Sequence, residues 1–276
     1  MKCKANIIKS INKKEFVDIL NEMYFVDEMS FKDISKIFNV KKQTVAGWFR
    51  IYRINTRNLK EAQDVIEKNR DYKIFTERQK QILLGGMLGD GGLMKYCGRN
   101  AAYIEYHCWK QKEYASWKAK ELNVKSKIIW RDETRKDSYN RKFGRYKQVW
   151  FKLNSHPFLT EGYNEIYVNN KKTKVTTNFM SKLNNLGLSV WFMDDGYYNK
   201  ETKSAFIFFG FQNPEVISTY FKEKFKLYPK INGRSGGGYS RKFYTLRFNQ
   251  GDSKKFIEII KRYIMPIKCM RYKIGR

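Results

Sequence analysis

Two stretches of the chain end their apolar runs in the same way. Residues 83–91 read LLGGMLGDG and residues 188–196 read LSVWFMDDG, and both close on acid followed by glycine. Ile82, Leu83, Leu84, Met87 and Leu88 predict a helix that Thr76 can N-cap and that runs to Asp90. Leu188, Val190, Trp191, Phe192 and Met193 predict a second helix, opened by Asn184 or Asn185 and running to Asp195. Gly91 and Gly196 then stop them.

The pattern after each run also matches. Strand-like AAYIEYHCW, helical QKEYASWKAKEL, strand-like KIIWRDE and RYKQVWFKLN, and a helix near 156–168 follow the first. Strand-like SAFIFFGF, helical NPEVISTYFKEKF, strand-like YPKING and RKFYTLRFN, and a helix near 252–264 follow the second. Each block closes on a basic tail, VNNKKTK at 168–174 and MRYKI at 270–274. The pattern predicts an α+β protein of two pseudo-symmetric αββαββα repeats, at 76–174 and 175–276. Its two motif helices would pack side by side, with Gly85, Gly86 and Gly89 in the seam opposite Ser189 and the bulkier Val190 and Trp191.

The chain before Thr76 has a different pattern. Phe16, Ile19, Leu20 and Met23 form one helical stripe over 13–28. Ser30 with Asp33 reads as a capping box, Ile34, Ile37 and Phe38 as an apolar face, and Asn39–Val40 as a turn. A second helix begins near Lys42, with Val45, Trp48 and Phe49 inward. Residues 1–56 thus read as a small all-α helix-turn-helix module, with Lys42, Gln43, Thr44 and Arg50 set to face DNA. The plain alternative is a three-helix bundle that binds nothing. Residues 57–75 read as a charged, partly helical linker that could track phosphates.

Charge narrows the partner. The 276 residues hold 56 Lys and Arg against 27 Asp and Glu, a net +29 spread along the chain. A polyanion relieves such self-repulsion, and nucleic acid is the obvious one. No stretch nears the ~20 apolar residues of a membrane helix. The N-terminus lacks a secretory apolar region, so a cytosolic or organellar protein is expected, not a secreted one. Cys3, Cys97, Cys108 and Cys269 form no CxxC pair, and His107 and His156 are the only histidines, which argues against zinc fingers and histidine–metal nucleases.

Two carboxylates brought to one point repel unless a cation lies between them. Oxygen donors select Mg²⁺, which can activate water and stabilise the leaving oxygen of a phosphodiester. A nearby lysine assists the charged transition state. Asp90, Asp195, Lys172 and Lys273 form that set, the acids 105 residues apart. One such Asp-Gly would be read as a solvated helix end. Two of them, each heading a matching block, would not, because an acid at a helix C-terminus runs against the macrodipole.

These motifs resemble the single-chain, two-motif branch of the LAGLIDADG homing endonucleases, over about residues 76–276. VNNKKT (168–173) and MRYK (270–273) sit where that family carries paired lysines, while Gly86 and Gly89 depart from its first motif. The resemblance implies saddle-shaped antiparallel sheets over duplex DNA and a monomer with internal pseudo-twofold symmetry. It implies intron homing by double-strand cleavage of a long asymmetric site, leaving 3′ overhangs. It implies two or three Mg²⁺ or Mn²⁺ ions shared between Asp90, Asp195 and DNA phosphates, with Gly89 and Asp194 as adjoining metal candidates. Asp194 itself is expected to cap or be solvated. Asn199 and Asn232 are the candidate polar contacts near each site. Arg131, Arg145, Lys147, Lys152, Arg234, Arg241 and Arg247 are the readout candidates of the sheets or their loops, against a plain reading as phosphate contacts or solvated charge. Two rivals stand beside the enzyme: a group I intron RNA maturase, for which intron RNA would be a partner, and a transcriptional regulator on an inactive scaffold. Loss of cleavage on replacing either aspartate separates both from the nuclease.

Overall fold

The computed structural model describes residues 12–96, 99–132, 145–235 and 242–276, in two compact units that meet in sequence at Arg70 and Asp71. Cys3, Cys97 and Arg241 lie outside the described residues.

In the first unit, α1 (Lys13–Asn21) continues into a π-helical turn, Glu22–Val26, in place of a single helix to residue 28. That turn carries Tyr24 into a core of Phe16, Leu20, Ile34, Val45 and Phe49. Ser30 and Asp33 form the capping box of α2 (Phe31–Phe38), and Asn39 ends it in the left-handed region, φ 54°. This tight turn leads to α3 (Lys42–Ile51). The unit extends past the boundary expected at residue 56. Arg57 stacks 3.9 Å over the Tyr24 ring and donates to the backbone carbonyls of Tyr24 and Met29. Asn58 and Glu61 then make a second capping box, which opens α4 (Leu59–Lys68). The supposed linker is therefore mostly helix, its first turn fixed by reciprocal side-chain–backbone bonds that charge counting does not reveal.

The second unit consists of two like halves. The first half is α5 (Glu77–Leu88), β1 (Gly92–Met94), β2 (Ala102–Cys108), α6 (Lys112–Glu121), β3 (Lys127–Asp132), β4 (Arg145–Leu153) and α7 (Pro157–Ile166). A two-residue hairpin, β5 (Tyr167–Val168) with β6 (Lys171–Lys172), and a short α8 (Thr177–Ser181) lead to the second half. That half is α9 (Asn185–Asp195), β7 (Gly196–Asn199), β8 (Ser204–Phe209), α10 (Pro214–Phe225), β9 (Lys230–Ser235), β10 (Lys242–Arg247) and α11 (Gln250–Ile264), with a 3₁₀ tail at Lys268–Ile274. The sheets are antiparallel and ordered alike, β1-β2-β4-β3 and β7-β8-β10-β9. One core spans both halves, centred on the motif helices, with Leu83, Leu188, Val190 and Trp191 all fully buried.

The seam between α5 and α9 is set by close approach. A Cβ added at Gly85 would lie 2.7 Å from Val190 Cβ, and one at Gly89 only 2.4 Å from Asp194 Cβ. Residues 85 and 190, like 89 and 194, are 105 apart, so each glycine meets its own counterpart across a pseudo-dyad. Two equal side chains cannot share such a point, and glycine in one half makes room for a larger residue in the other. Gly86 is not in the seam, since it faces the Tyr103 hydroxyl. Ser189 is not in it either, because it bonds the carbonyls of Asn185 and Ile260. Gly187, packed on Gln81, takes that place.

Candidate active site

The two motif helices end differently. Asp195 is the last residue of α9, whereas α5 stops at Leu88 and leaves Asp90 beyond its Gly89 cap. The Asp90 side chain is 39% exposed, while Asp195 is partly buried. Burial first, then the facing charges of Asp194 and Asp90, pushes the Asp195 carboxyl up to about 8. Desolvated like charges at one place are what a divalent cation relieves.

The lysines arrive on unlike supports but make like contacts. Lys172 sits on the β5–β6 hairpin, whose Asn169–Asn170 turn has both residues at positive φ, 49° and 60°, as a type I′ turn requires. Lys273 sits on the 3₁₀ tail. Lys172 Nζ donates to the Gly89 carbonyl and, at 3.3 Å, to that of Gly91. Lys273 Nζ donates to the carbonyls of Asp194 at 3.1 Å and Gly196 at 2.8 Å. These carbonyl pairs are again 105 residues apart. Burial lowers the pKa of both lysines below the ordinary value.

Asp194 is not a solvated bystander. Its side chain is fully buried and receives Lys118 Nζ at 2.9 and 3.0 Å, Tyr114 Oη at 2.8 Å and the Asp90 N–H at 3.3 Å. With both oxygens engaged it acts as a buried charge behind the site, which corrects its reading as a cap and leaves it a poor metal ligand. Burial raises its carboxyl to about 6 despite Lys118. Lys118 also donates to Glu105, and Tyr103 Oη donates to Glu105 Oε2 at 2.5 Å. Burial opposes ionisation of Glu105, but Lys118 and His107 outweigh it and pull the carboxyl down to about 2. His107 Nε2 lies 2.8 Å from Glu105 Oε1, and its Nδ1 faces Asp90 Oδ2 at 3.6 Å. Glu105, His107 and Lys118 were not among the sequence candidates. Glu105 and His107 do alternate with Tyr103 on the buried face of one strand, a legible signal for buried polar residues.

The other candidates scatter. Lys42, Gln43, Thr44 and Arg50 are exposed on α3. Lys152 is exposed on β4, and Arg247 lies on β10 with its guanidinium 5.8 Å over Phe206. Asn232 is exposed on β9. Lys147 is turned to the core side: it pairs with Trp130 in register, and its ammonium sits 4.4 Å over that ring and 5.0 Å over Trp109. Asn199 accepts the Thr202 N–H at 2.9 Å and so closes the β7–β8 turn, at the end of β7 away from Gly196. Arg131, Arg145 and Arg234 lie on strands, their side chains outside the described residues. The open sheet faces are also aromatic, with Tyr106 stacked on Trp150 and exposed Tyr197, Phe208 and Phe243.

Two like halves joined on paired helices, with an acid and a carbonyl-bound lysine at the end of each, define a duplicated single-chain fold whose candidate site lies on the pseudo-dyad. The chain belongs to the LAGLIDADG DNA endonuclease family, whose model matches residues 80–256. It is 30% identical over 140 residues to the probable intron-encoded DNA endonuclease 3 of Mycosarcoma maydis, covering 48% of this chain and 97% of that one. It is 27% identical over 135 residues to the protein RecA of Mycobacterium leprae, covering 47% of this chain and 17% of that much longer one. The homing endonuclease I-WcaI, solved bound to its DNA recognition sequence, shares the fold at a TM-score of 0.58 and 18% identity, covering 80% of this chain and 96% of that one. No helix among the described residues is long and apolar enough to cross a membrane.

Proposed function

We propose that the chain is a monomeric, site-specific homing endonuclease that cuts both strands of a long DNA site with a divalent cation, leaving 3′ overhangs. The observation that carries this is the equivalence of the two half-sites, each with an aspartate and a lysine on the same pair of carbonyls. An inactive scaffold would not need to keep both.

The residues fit a hard cation. Asp90 and Asp195 supply oxygen donors, and the burial and like-charge repulsion that raise the Asp195 carboxyl are both offset by a bound positive charge. Bound there, Mg²⁺ or Mn²⁺ supplies Lewis-acid stabilisation of the scissile phosphate and lowers the pKa of the attacking water. Two or three such ions would be shared between the aspartates and DNA phosphates. Paired carbonyls orient each lysine ammonium. Burial makes Lys172 and Lys273 readier than exposed lysines to give a proton to the departing oxygen. Lys152, Arg247 and Asn232 on the strands, and Lys42, Gln43, Thr44 and Arg50 on α3, are the residues proposed to hold DNA.

A target is first selected from randomised duplex DNA with Mg²⁺. Asp90→Asn and Asp195→Asn are then expected to lose cleavage by about 10²–10³-fold or more, with binding retained. Cleavage at the parental rate by either variant would show the metal assignment to be wrong.

A further inference from the structure

The two halves place different residues behind their acids. Gly92 follows Asp90 by two residues and pairs with Ile104, as Tyr197 follows Asp195 and pairs with Phe206. In that register, Ile207 and Phe209 of the second half stand where Glu105 and His107 stand in the first. Both of those second-half residues are buried and apolar. An apolar side chain therefore suffices to fill the position. A histidine there is 2% exposed, and its Nδ1 has no hydrogen-bond partner among the described residues. Leaving such an atom unserved in an interior is costly.

The tautomer gives that atom a purpose. Glu105 lies opposite Nε2, and its carboxylate accepts, so Nε2 keeps its proton whether the ring is neutral or charged. Nδ1, which faces Asp90 Oδ2, is therefore the nitrogen whose lone pair a cation can take in place of a proton. A carboxylate that fixes the ring of a histidine whose other nitrogen meets a ligand oxygen is the usual support of a metal-bound histidine. We infer that His107 Nδ1 is a protein ligand to the cation held by Asp90, with Glu105 as its positioning residue. The first half-site is then a mixed nitrogen–oxygen site and the second is not.

The geometry allows it. Neighbouring ligands on an ion with bonds of about 2.1 Å lie about 3 Å apart. The observed 3.6 Å thus closes with a side-chain shift of about half an ångström. Ligand atoms of Asp90, His107 and Asp194 lie within 4.8 Å of one another. Asp194 is excluded as third ligand because its oxygens already accept from Lys118, Tyr114 and the Asp90 N–H. An imidazole donor shifts preference from Mg²⁺ and Ca²⁺ toward Mn²⁺, Co²⁺ and Ni²⁺.

The inference rests on the reading of Asp90 as a cation ligand. The full chain, bound to its selected target and loaded with Mn²⁺, is studied by pulsed electron paramagnetic resonance with ¹⁴N- or ¹⁵N-labelled histidine. A directly bound nitrogen is expected, with a coupling that changes on labelling. The label identifies His107 because both nitrogens of the other histidine, His156, are engaged, by the Lys73 carbonyl at 3.0 Å and the Phe158 N–H at 3.1 Å. His107→Phe, which installs the residue the second half already carries, should abolish the coupling. It should also weaken Mn²⁺ binding by at least the ~10-fold that loss of an orienting partner costs. Mn²⁺ bound with no histidine coupling overturns the inference and leaves the aspartate reading intact. Mn²⁺ binding unchanged by Asp90→Asn overturns both.

Discussion

The two halves share a topology but not an interior. Behind Asp195 the second half packs Ala205, Ile207 and Phe209, an apolar strand face that holds itself together by burial alone. Behind Asp90 the first half buries Tyr103, Glu105 and His107, with Lys118 between Glu105 and Asp194. Duplication fixed the backbone, and the buried groups then diverged. The first strand face depends on every charge having its partner, and the second, with Ala205, Ile207 and Phe209, carries none. Asymmetry also follows from the dyad itself. Residues on the axis meet their own counterparts, so Gly85 opposite Val190 and Gly89 opposite Asp194 are forced inequalities.

The sharpest way to break this contrast is to remove the lysine that stands between the two carboxylates. Lys118→Met leaves Glu105 and Asp194 facing each other without the ammonium that bridges them. The expected loss is about 3–5 kcal/mol, read by chemical denaturation. A loss below 1 kcal/mol would mean that water or protonation already serves those carboxylates, and the halves would differ less than their side chains suggest.

The seam gives a smaller effect. Gly89→Ala drives a methyl into Asp194, and a cost of about 1–3 kcal/mol is expected from the overpacking. Gly233→Ala is the control: its Cβ would meet nothing closer than 3.5 Å, so stability should barely change. Equal melting temperatures for the two variants would show that the helices can part at no cost.

The sequence exposed this site unevenly, for physical reasons. Asp90, Asp195, Lys172 and Lys273 were legible because the duplication repeats them in step, and a repeat needs no knowledge of contacts. Asp194 was misjudged because its neighbour dominates the motif. What makes it a buried charge is Lys118, 76 residues away, placed by the packing of α6 under the first sheet. His107 and Glu105 were missed because an internal repeat directs attention to what both halves share, and these residues occur in one. Lys147 was named as a readout candidate with no face assigned, because the strand's parity is fixed by its pairing with β3, which composition does not encode. Residues 57–68 passed for linker because the capping box at Asn58 and Glu61 is local, while the anchor at Arg57 is tertiary.

In the chain stripped of divalent cations, Asp195 has its carboxyl raised from 3.8 to about 8. A raised folded-state value contributes stability that is complete below the unfolded value and lost as pH rises through the folded one. Asp194, raised to about 6, acts in the same direction, and so does His107, raised because Glu105 outweighs its burial. Glu105 acts oppositely, but its window runs from 4.5 down to about 2 and lies below the range that matters. Lys172 and Lys273, lowered by burial, act oppositely toward the alkaline side. Stability between pH 5 and 8 should therefore fall with rising pH, with Asp195 contributing a slope of at most about 1.4 kcal/mol per pH unit. Asp195→Asn should flatten the curve by that share, and saturating Mg²⁺ should flatten it in the parent. If the parent and the asparagine variant keep parallel curves from pH 5 to 8, the repulsion at the dyad is already relieved by the paired lysines. The cation would then be needed for the chemistry and not to hold the two acids together.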